Sequence, residues 1–253
     1  MPRENPYRPF NPNSAQMDLM PEISGNEING LGETEVRNPA VVYWAKNPEE
    51  IPHGKMQSWF YTVDPGLPEF AAERDKRQAI LDQDLPKVVV QTAYYPEEKW
   101  QKKLKKFVQD NDCEKIGVTE LDPSWLFEGE RTEFRHVIIA AVHHDYERIS
   151  KAPNPIAGAE VMVQYTRAAY VAKKIASWLH QEGWEAEPVT GPMASRLAMI
   201  PAAIQAGFGE LGKHGSLINP EFGSSFRLSA VLTNAPLPLY EPQTHGVDDF
   251  CSS

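Results

Sequence analysis

The chain has 253 residues, 41% of them hydrophobic and 24% charged, with a formal net charge of −10 at pH 7. This length is enough to bury a large core, as one large domain or two small ones. The negative charge argues against the uniformly basic surface that neutralises nucleic-acid phosphates, and no apolar run reaches the roughly 18 residues of a membrane-spanning helix, so neither nucleic acid nor a membrane span is expected.

Residues 1–86 are predicted to form an extended N-terminal arm. Segments such as NPYRPFNPN and ISGNEINGLGETE are rich in Pro, Asn and Gly, which interrupt long helices and central strands. Aromatic residues in VVYWAKN and SWFYTV argue against full disorder, and a short helix is predicted around EFAAERDKRQAILDQ. The opening MPRENPYRPFNPNSAQ has no apolar h-region and no paired arginines, so no secretion signal is predicted and the chain as given is expected in the cytoplasm.

From residue 87 to residue 247, predicted strands and helices alternate. The predicted strands are the apolar runs in PKVVVQTAYY, KIGVTEL, RHVIIAAV, WEAEPV and FRLSAVLTN. The predicted helices are PEEKWQKKLKKFVQDN, which opens with Pro96 and two acids, AGAEVMVQYTRAAYVAKKIASWLHQEG, which ends at Gly183, and SRLAMIPAAIQAG, which Pro201 weakens. This alternation predicts an α/β layered domain with helices packed against a sheet.

The two cysteines and seven histidines offer few candidate metal ligands. Cys113 and Cys251 lack the spacing of a CxxC pair; each is interpreted as a free thiol, and a disulfide between them stays open. His143 and His144 are adjacent, and adjacent side chains on an extended segment point to opposite sides. They are interpreted as a turn at the end of a strand, and no complete metal site is predicted.

The segment AGFGELGKHGSLINPEFGSSFRLSAVLTNAPL, residues 206–237, is dense in glycine. Glycine permits positive φ angles and close approach of the backbone to a ligand, so this segment suits a large flat or phosphate-bearing cofactor. A turn that serves only chain reversal explains the spacing equally well. The segment contains no GK[ST] sequence, and GFGELG follows a predicted helix instead of a strand, so neither a phosphate loop nor a nicotinamide site is favoured.

This glycine-rich segment resembles the corrinoid-binding core of the reductive dehalogenases and, more distantly, that of epoxyqueuosine reductase. HHDYERISKAPN, a helix carrying Tyr165, and EGWEAEPV precede it in the order that the family has. The resemblance spans roughly residues 87–251. It implies an α/β (α+β) fold in which residues 87–247 form a nitroreductase-like cobalamin-binding core, with helices packed on a mixed sheet.

The resemblance implies a base-off cobalamin whose cobalt is reduced to the cob(I) state and removes halide from an organohalide. The cofactor supplies the electron chemistry, while the protein supplies position, a proton and an apolar pocket. Tyr165 matches the proton-donor tyrosine of the family, although the sequence alone favours a core aromatic on an amphipathic helix. Arg227 matches the family arginine whose charge favours the phenolate, although exposed arginines at strand ends are common. Where some members have an asparagine, this chain has VTGPMAS, with Thr190 and Ser195 as the nearest polar candidates.

The resemblance also implies cofactor contacts within the glycine-rich segment. Lys213 and His214 are candidates for the tail phosphate or the propionamides, and the backbone of Gly207, Gly209 and Gly215 for the nucleotide tail. Further candidates are Pro220, Phe222 and Gly223, of which Phe222 is equally explained as a core residue.

Members of the family continue past the sequence DFC into two CxxCxxCxxxCP motifs, whose thiolates hold two 4Fe-4S clusters that pass electrons to cobalt. Cys251 matches the first of these cysteines, so residues 248–253 are interpreted as the start of the iron-sulfur segment. A single thiolate cannot hold a cluster. The chain as given is therefore interpreted as incomplete and is expected to bind neither cluster.

The partners that the resemblance implies are an organohalide and an electron donor, which is a ferredoxin, a flavodoxin or a membrane quinol chain. A homodimer, and export of a precursor that carries a signal, stay open. Two alternatives also stay open. A tRNA-modifying enzyme like epoxyqueuosine reductase is disfavoured because a tRNA substrate requires positive charge. A non-catalytic corrinoid-binding module is the other.

Overall fold

The computed structural model describes residues 13–22, 33–62, 68–152, 154–191 and 196–252, apart from the side chains of residues 60–62 and 69. Most of NPYRPFNPN and ISGNEINGLGETE lies outside these ranges. The chain divides into two compact units, one of Met1–Glu35 with Ala40–Val63 and one of Val36–Pro39 with Asp64–Ser253. The predicted domain boundaries at residues 86 and 247 stay predictions.

The first unit contains short helices between turns. α1 spans Ser14–Met17, and α2 spans Gly54–Thr62 after a turn of 3-10 helix at Pro48–Glu50. Gln57 of α2 is buried and closes the preceding loop, because its side-chain amide donates to the Ala45 carbonyl (2.7 Å) and accepts from the Ala45 amide (3.0 Å). Residues 54–62 of the predicted extended arm therefore form a helix, α2.

A four-stranded sheet lies at the centre of the second unit. Its strands are β1 (Lys115–Glu120), β2 (His136–His143), β3 (Ala186–Val189) and β6 (Phe226–Thr233). They lie in the order β1-β2-β6-β3, and each of the three pairs is antiparallel. A separate two-stranded sheet pairs β4 (Glu210–Leu211) with β5 (Leu217–Ile218).

The predicted fold class of helices packed on a sheet is confirmed, but the expected mixed sheet is wrong in one respect, since its pairs are all antiparallel. β1 and β2 are joined by a loop with a turn of 3-10 helix at Pro123–Trp125. A parallel pair requires a long crossover, usually a helix, which this connection lacks.

Six helices belong to the second unit, and among the described residues none is both long and apolar enough to cross a membrane. They are α3 (Pro68–Leu81), α4 (Glu97–Asp110), α5 (Tyr146–Ile149), α6 (Pro155–Gln181), α7 (Met199–Gln205) and α8 (Val247–Ser252). The predicted helices that correspond to α3, α4, α6 and α7 are confirmed. α6 begins after Asn154, whose side chain accepts a hydrogen bond from the amide of Ile156 (3.0 Å). Pro201 lies in the first turn of α7, where no helical partner for an N–H is needed.

The central sheet is buried on both faces, which explains why VIIAAV, residues 137–142, is an unbroken apolar run. Residues of α4 and α6 share one core with one face of the sheet, namely Trp100, Leu104, Val171, Ile175, Ile138, Ala140, Val142 and Val231. Residues of α7 and the turn after it share a second core with the other face, namely Ala202, Ala203, Phe208, Val137, Ile139, Ala141, Ala230 and Leu232. Alternate residues of β2 and β6 therefore face α6.

The predicted strand PKVVVQTAYY is wrong. This segment has no regular secondary structure, bends at Val90 and Gln91, and belongs to neither sheet. The amides of Val89 and Ala93 donate instead to the carbonyls of His180 (2.9 Å) and Glu182 (2.8 Å), at the C-terminal end of α6. The last carbonyls of a helix lack partners within the helix, so they compete with a sheet edge for these amides.

Glu182 connects the end of α6 to α4. Its carboxylate accepts hydrogen bonds from the Tyr95 hydroxyl (2.8 Å), the Lys103 ammonium (2.5 Å) and the Trp178 indole (3.2 Å). Burial disfavours the charged carboxylate, but these donors, led by Lys103, outweigh burial and lower the pKa of Glu182. The ionised form of Glu182 is therefore the one that stabilises the fold.

Replacing Glu182 with glutamine is expected to lower the free energy of unfolding by about 1–3 kcal/mol at pH 7, because the charge-assisted hydrogen bonds are lost. A carboxyl group with a lowered pKa in the folded state stabilises the fold above its unfolded pKa, and this contribution is lost as the pH falls through the folded value. Urea denaturation of both proteins at pH 7 and at about pH 3 should show the two curves converging at the acid pH. The exposed Glu185→Gln serves as the control and should match the parent. A difference that persists at acid pH would rule out the ionised carboxylate as its cause.

Candidate active site

Tyr165 and Arg227 lie side by side in the second unit. Tyr165 belongs to α6, and Arg227 belongs to β6, on the face of the sheet that α6 covers. The central carbon of the Arg227 guanidinium lies 4.6 Å from the centroid of the Tyr165 ring. Both side chains are half-buried, so the cation contacts the ring where water screens it only in part. The fold thus brings together a phenol and a cation that are far apart in the sequence.

The loop after β3 borders the same tyrosine. A Cβ added to Gly191 would lie 3.9 Å from a ring carbon of Tyr165, so the backbone of this loop forms part of the wall around the ring. Thr190, one of the two polar candidates in this loop, is buried. Ser195, the other candidate, lies outside the described residues.

The side chains of His143 and His144 point to opposite sides of the chain, as the sequence predicts. His143 is exposed, stacks on Phe222 with ring centroids 6.0 Å apart, and pairs through Nδ1 with Glu114 (2.9 Å). His144 is buried and contacts the Ser225 hydroxyl through Nδ1 (3.2 Å). Phe222, a candidate for cofactor contact, is therefore half-buried in a ring stack with a histidine.

His144 belongs to the same site as Arg227, which the sequence does not indicate. The strand register pairs Val142 with Arg227, and the His144 amide continues the ladder by donating to the Ser225 carbonyl (3.0 Å). In an antiparallel pair, residues offset by two positions lie diagonally across the same face, within reach of long and aromatic side chains. His144 and Arg227 are therefore diagonal neighbours on the face that α6 covers.

Three buried polar atoms on this face have no hydrogen-bond partner within the described part of the chain: Arg227 Nε, His144 Nε2 and Ser229 Oγ. Ser229 follows Arg227 by two positions on β6, so both side chains leave the same face of the strand. An unpaired buried polar atom costs about 1–3 kcal/mol. Most buried polar atoms in proteins are hydrogen-bonded, so these three atoms are candidates for contact with a bound polar group or with water.

The imidazole of His144 is neutral at pH 7. Burial and then the positive charge of Arg227 lower the pKa of His144 to about 4, and the exposed His143 acts in the same direction. The buried carboxylate of Glu160 and the contact with Ser225 oppose this shift. A neutral imidazole carries one N–H donor and one acceptor nitrogen.

Stability is expected to fall by about 2 kcal/mol between pH 7 and pH 5 on account of His144, because the unfolded chain takes up a proton there and the folded chain does not. The neutral imidazole of His144 contributes its stability in full above the unfolded pKa of 6.5. This contribution is lost as the pH falls toward the folded pKa of about 4. His144→Gln should flatten this part of the pH profile, measured by denaturant unfolding. His245→Gln, at an exposed position, should leave the profile unchanged. Equal profiles for the parent and His144→Gln would contradict the neutral buried imidazole.

The first glycines of the glycine-rich segment are required by packing within the chain. Gly207 and Gly209 are buried and have positive φ angles of 74° and 144°. A Cβ at Gly207 would lie 2.8 Å from the Glu241 carbonyl oxygen, and one at Gly209 would lie 2.0 Å from the Ile218 carbonyl oxygen. The fold alone therefore explains both glycines, and their role as cofactor contacts stays a prediction.

Gly215 and Gly223 differ from these two positions. They also have positive φ angles, of 82° and 60°, but nothing lies within 4 Å of an added Cβ. Both are exposed, as is Pro220 between them. This part of the segment therefore offers open backbone that a large flat ligand can approach closely.

Lys213 and His214 lie on the exposed side of the same turn. The Lys213 ammonium donates to the Cys251 carbonyl (2.8 Å) and to the Ser252 hydroxyl (3.1 Å) of α8. His214 accepts a hydrogen bond at Nδ1 from the Ser216 amide (3.0 Å). A ligand that binds here therefore has to share or replace these contacts.

Both cysteines are free, so the disulfide that the sequence leaves open is not formed. Cys113 is buried, and burial raises its pKa to about 12, which keeps the thiol protonated at neutral pH. Cys251 is half-buried in α8, and its role as an iron-sulfur ligand stays a prediction. Within the described ranges, no group of three or more His, Cys, Asp or Glu side chains is arranged to hold a metal ion.

Part of this chain is similar in sequence to one class of enzyme. A tetrachloroethene reductive dehalogenase of Desulfitobacterium hafniense is 34% identical over 149 residues, which cover 58% of this chain and 26% of that protein. The chain thus spans about a quarter of the length of the curated relatives that it matches. No family model matches.

Solved structures show the same fold. A catabolic reductive dehalogenase superposes with a TM-score of 0.67 at 20% identity, covering 79% of this chain and 30% of that one. A second reductive dehalogenase, described as suggesting a mechanism for B12-dependent dehalogenation, superposes with a TM-score of 0.62 at 20% identity, covering 71% of this chain and 28% of its own. The predicted fold class of helices packed on a sheet is therefore also that of these reductive dehalogenases.

Proposed function

We propose that this chain belongs to the reductive dehalogenase family. On this premise, it provides the corrinoid-binding and proton-donating part of an enzyme that removes halide from an organohalide. The observation that carries the proposal is the 4.6 Å contact between the Arg227 guanidinium and the Tyr165 ring. These two residues match the family positions for the proton donor and its cation.

A base-off cobalamin is the group that this site would hold. The open backbone of Gly215 and Gly223 fits a large flat ligand, and the exposed Lys213 and His214 offer donors for a phosphate or for propionamides. When bound, the corrinoid supplies the electrons for cleavage of the carbon–halogen bond. Side chains of this chain are proposed to supply the proton and to stabilise the anion that remains.

Tyr165 is proposed to donate its hydroxyl proton to the carbon that loses the halide. The substrate takes up two electrons and one proton, its carbon–halogen bond breaks, a carbon–hydrogen bond forms and halide leaves. Arg227 stabilises the phenolate that Tyr165 becomes, because a cation next to a titratable group favours its anionic form. Partial burial strengthens this effect by limiting screening by water.

Electrons are proposed to come from a ferredoxin, a flavodoxin or a membrane quinol chain. Cys251 is proposed as the first ligand of an iron-sulfur cluster once further cysteine motifs are supplied. Residues 1–86 are proposed as an arm, residues 87–247 as the corrinoid-binding core and residues 248–253 as the beginning of the iron-sulfur segment.

Corrinoid binding tests this proposal first. The full chain is titrated with cob(II)alamin without oxygen, passed through a gel-filtration column, and assayed for retained corrinoid by its absorbance. Stoichiometric retention is expected, and Lys213→Gln should weaken it while the exposed Lys174→Gln on α6 should not. A chain that retains no corrinoid would exclude the proposed function. Retention without any halide release that depends on Tyr165 would instead support a non-catalytic binding module.

A further inference from the structure

His144 and Arg227 present complementary unpaired atoms on one face of the sheet. The Nε of Arg227 is an obligatory donor, because a guanidinium keeps its protons in proteins. His144 uses Nδ1 in its contact with the Ser225 hydroxyl (3.2 Å), so that Nε2 is the nitrogen left without a partner. If Nδ1 carries the proton of the neutral ring, Nε2 is an acceptor. A buried donor and a buried acceptor thus lie at neighbouring positions, and each lacks a partner.

The geometry of the strands favours pairing between these two atoms. His144 and Arg227 are diagonal neighbours across the β2–β6 pair, since Val142 lies directly opposite Arg227 and the His144 amide bonds to the Ser225 carbonyl. Diagonal neighbours of this kind lie within reach of long and aromatic side chains, which both residues have.

The other charged group beside His144 does not compete for Arg227. The Glu160 carboxylate accepts hydrogen bonds from the Asp145 amide (2.8 Å) and the Gln164 side chain (2.6 Å). It also pairs with Arg148 (3.2 Å). Glu160 is therefore satisfied by donors of its own, and among the described residues the acceptors left for the Arg227 Nε–H on this face are His144 Nε2 and the Ser229 hydroxyl.

We propose that His144 is a positioning residue, whose Nε2 accepts a hydrogen bond from the Nε–H of Arg227 and so holds the guanidinium over the Tyr165 ring. This inference rests on the proposed function, in which Arg227 stabilises the Tyr165 phenolate. The Ser225 hydroxyl fixes the imidazole through Nδ1, in the way that a partner on one ring nitrogen sets the orientation and tautomer of the other.

Proton exchange of the Arg227 Nε–H with water tests this hydrogen bond directly. The resonance is observed by NMR in the full-length, nitrogen-15-labelled chain and assigned by its loss in Arg227→Lys. His144→Asn keeps an amide near the position of Nδ1 but has nothing at Nε2, whereas the longer His144→Gln reaches the position of Nε2. Exchange should accelerate about tenfold or more in His144→Asn, corresponding to loss of one hydrogen bond to a charged group, and by less than about twofold in His144→Gln.

A role of His144 in packing alone predicts a different pattern, in which both variants are affected according to their loss of stability. Ser225→Ala gives a second test, because it frees the ring without removing Nε2, and exchange should accelerate there as well. Exchange at the parental rate in His144→Asn would overturn the proposal, as would exchange at the parental rate in Ser225→Ala should His144→Asn not fold. The measurement needs neither corrinoid nor substrate, so failure of the proposed function, seen as absent corrinoid retention, is distinguishable from failure of this inference.

Discussion

Replacing Tyr165 with phenylalanine is expected to slow halide release by the corrinoid-loaded chain by about 10²–10⁴-fold, the usual contribution of a positioned proton donor. Phenylalanine keeps the ring on which the Arg227 guanidinium lies and removes only the hydroxyl. Corrinoid retention should therefore equal that of the parent. The rate is measured as halide released under a chemical reductant, with retained corrinoid quantified in the same sample.

Tyr170→Phe is the matched control for this prediction. Tyr170 lies on the same helix, has 37% of its surface exposed, and has the Lys174 ammonium 5.2 Å from the centre of its ring. It thus resembles Tyr165 in residue type, helix and nearby cation, but Arg227 does not contact it. Its replacement should leave the rate unchanged. Equal loss in the two variants, or no loss in Tyr165→Phe, would remove Tyr165 from the proposed role.

Replacing Gly209 with alanine is expected to cost about 4 kcal/mol of the free energy of unfolding, or to prevent folding. The added Cβ would lie 2.0 Å from the Ile218 carbonyl oxygen, which is far inside van der Waals contact. The φ angle of 144° is also unfavourable for any residue with a side chain. Strain of the backbone and overpacking each contribute about 1–3 kcal/mol, and neither is relieved without moving β5.

Gly215→Ala separates this effect from the cost of the φ angle alone. Gly215 has a φ of 82°, but nothing lies within 4 Å of its added Cβ. Its replacement should cost only about 1 kcal/mol in urea unfolding. If Gly215 instead contacts the corrinoid, Gly215→Ala should weaken retention by more than its effect on stability explains. Similar stability losses at Gly209 and Gly215 would show that the close contact at Gly209 is not the decisive factor.

Helices and strands are predicted correctly from the sequence where apolar residues recur with regular spacing or form unbroken runs. α4 and α6 have apolar residues at helical spacing, and β2 and β6 are apolar runs that lie between two layers of helix. PKVVVQTAYY has the same local appearance, but its amides bond to the end of α6, a partner that only the tertiary structure supplies. Strand direction was not predictable either, since a strand buried on both faces is equally apolar in parallel and antiparallel sheets.

The residues of the candidate site also differ in how far the sequence alone predicts them. Tyr165 and Arg227 are identified by resemblance of the sequence, while their contact is evident only from the fold. His144 escapes sequence reasoning because its position beside Arg227 depends on the register of β2 against β6. The sequence also does not distinguish Gly209 from Gly215. Both have positive φ angles, but a Cβ at Gly209 would meet the Ile218 carbonyl, whereas nothing lies within 4 Å of a Cβ at Gly215.

The most direct test of the central proposal compares halide release by the corrinoid-loaded chain with release by the same amount of free corrinoid. Both samples receive the same chemical reductant and the same set of organohalides, without oxygen, and halide is measured over time. The loaded chain is expected to release halide faster than free corrinoid, and Tyr165→Phe should lose most of that excess. Release by the loaded chain at the rate of free corrinoid, with corrinoid shown to be bound, would contradict a catalytic role for the Tyr165 and Arg227 pair.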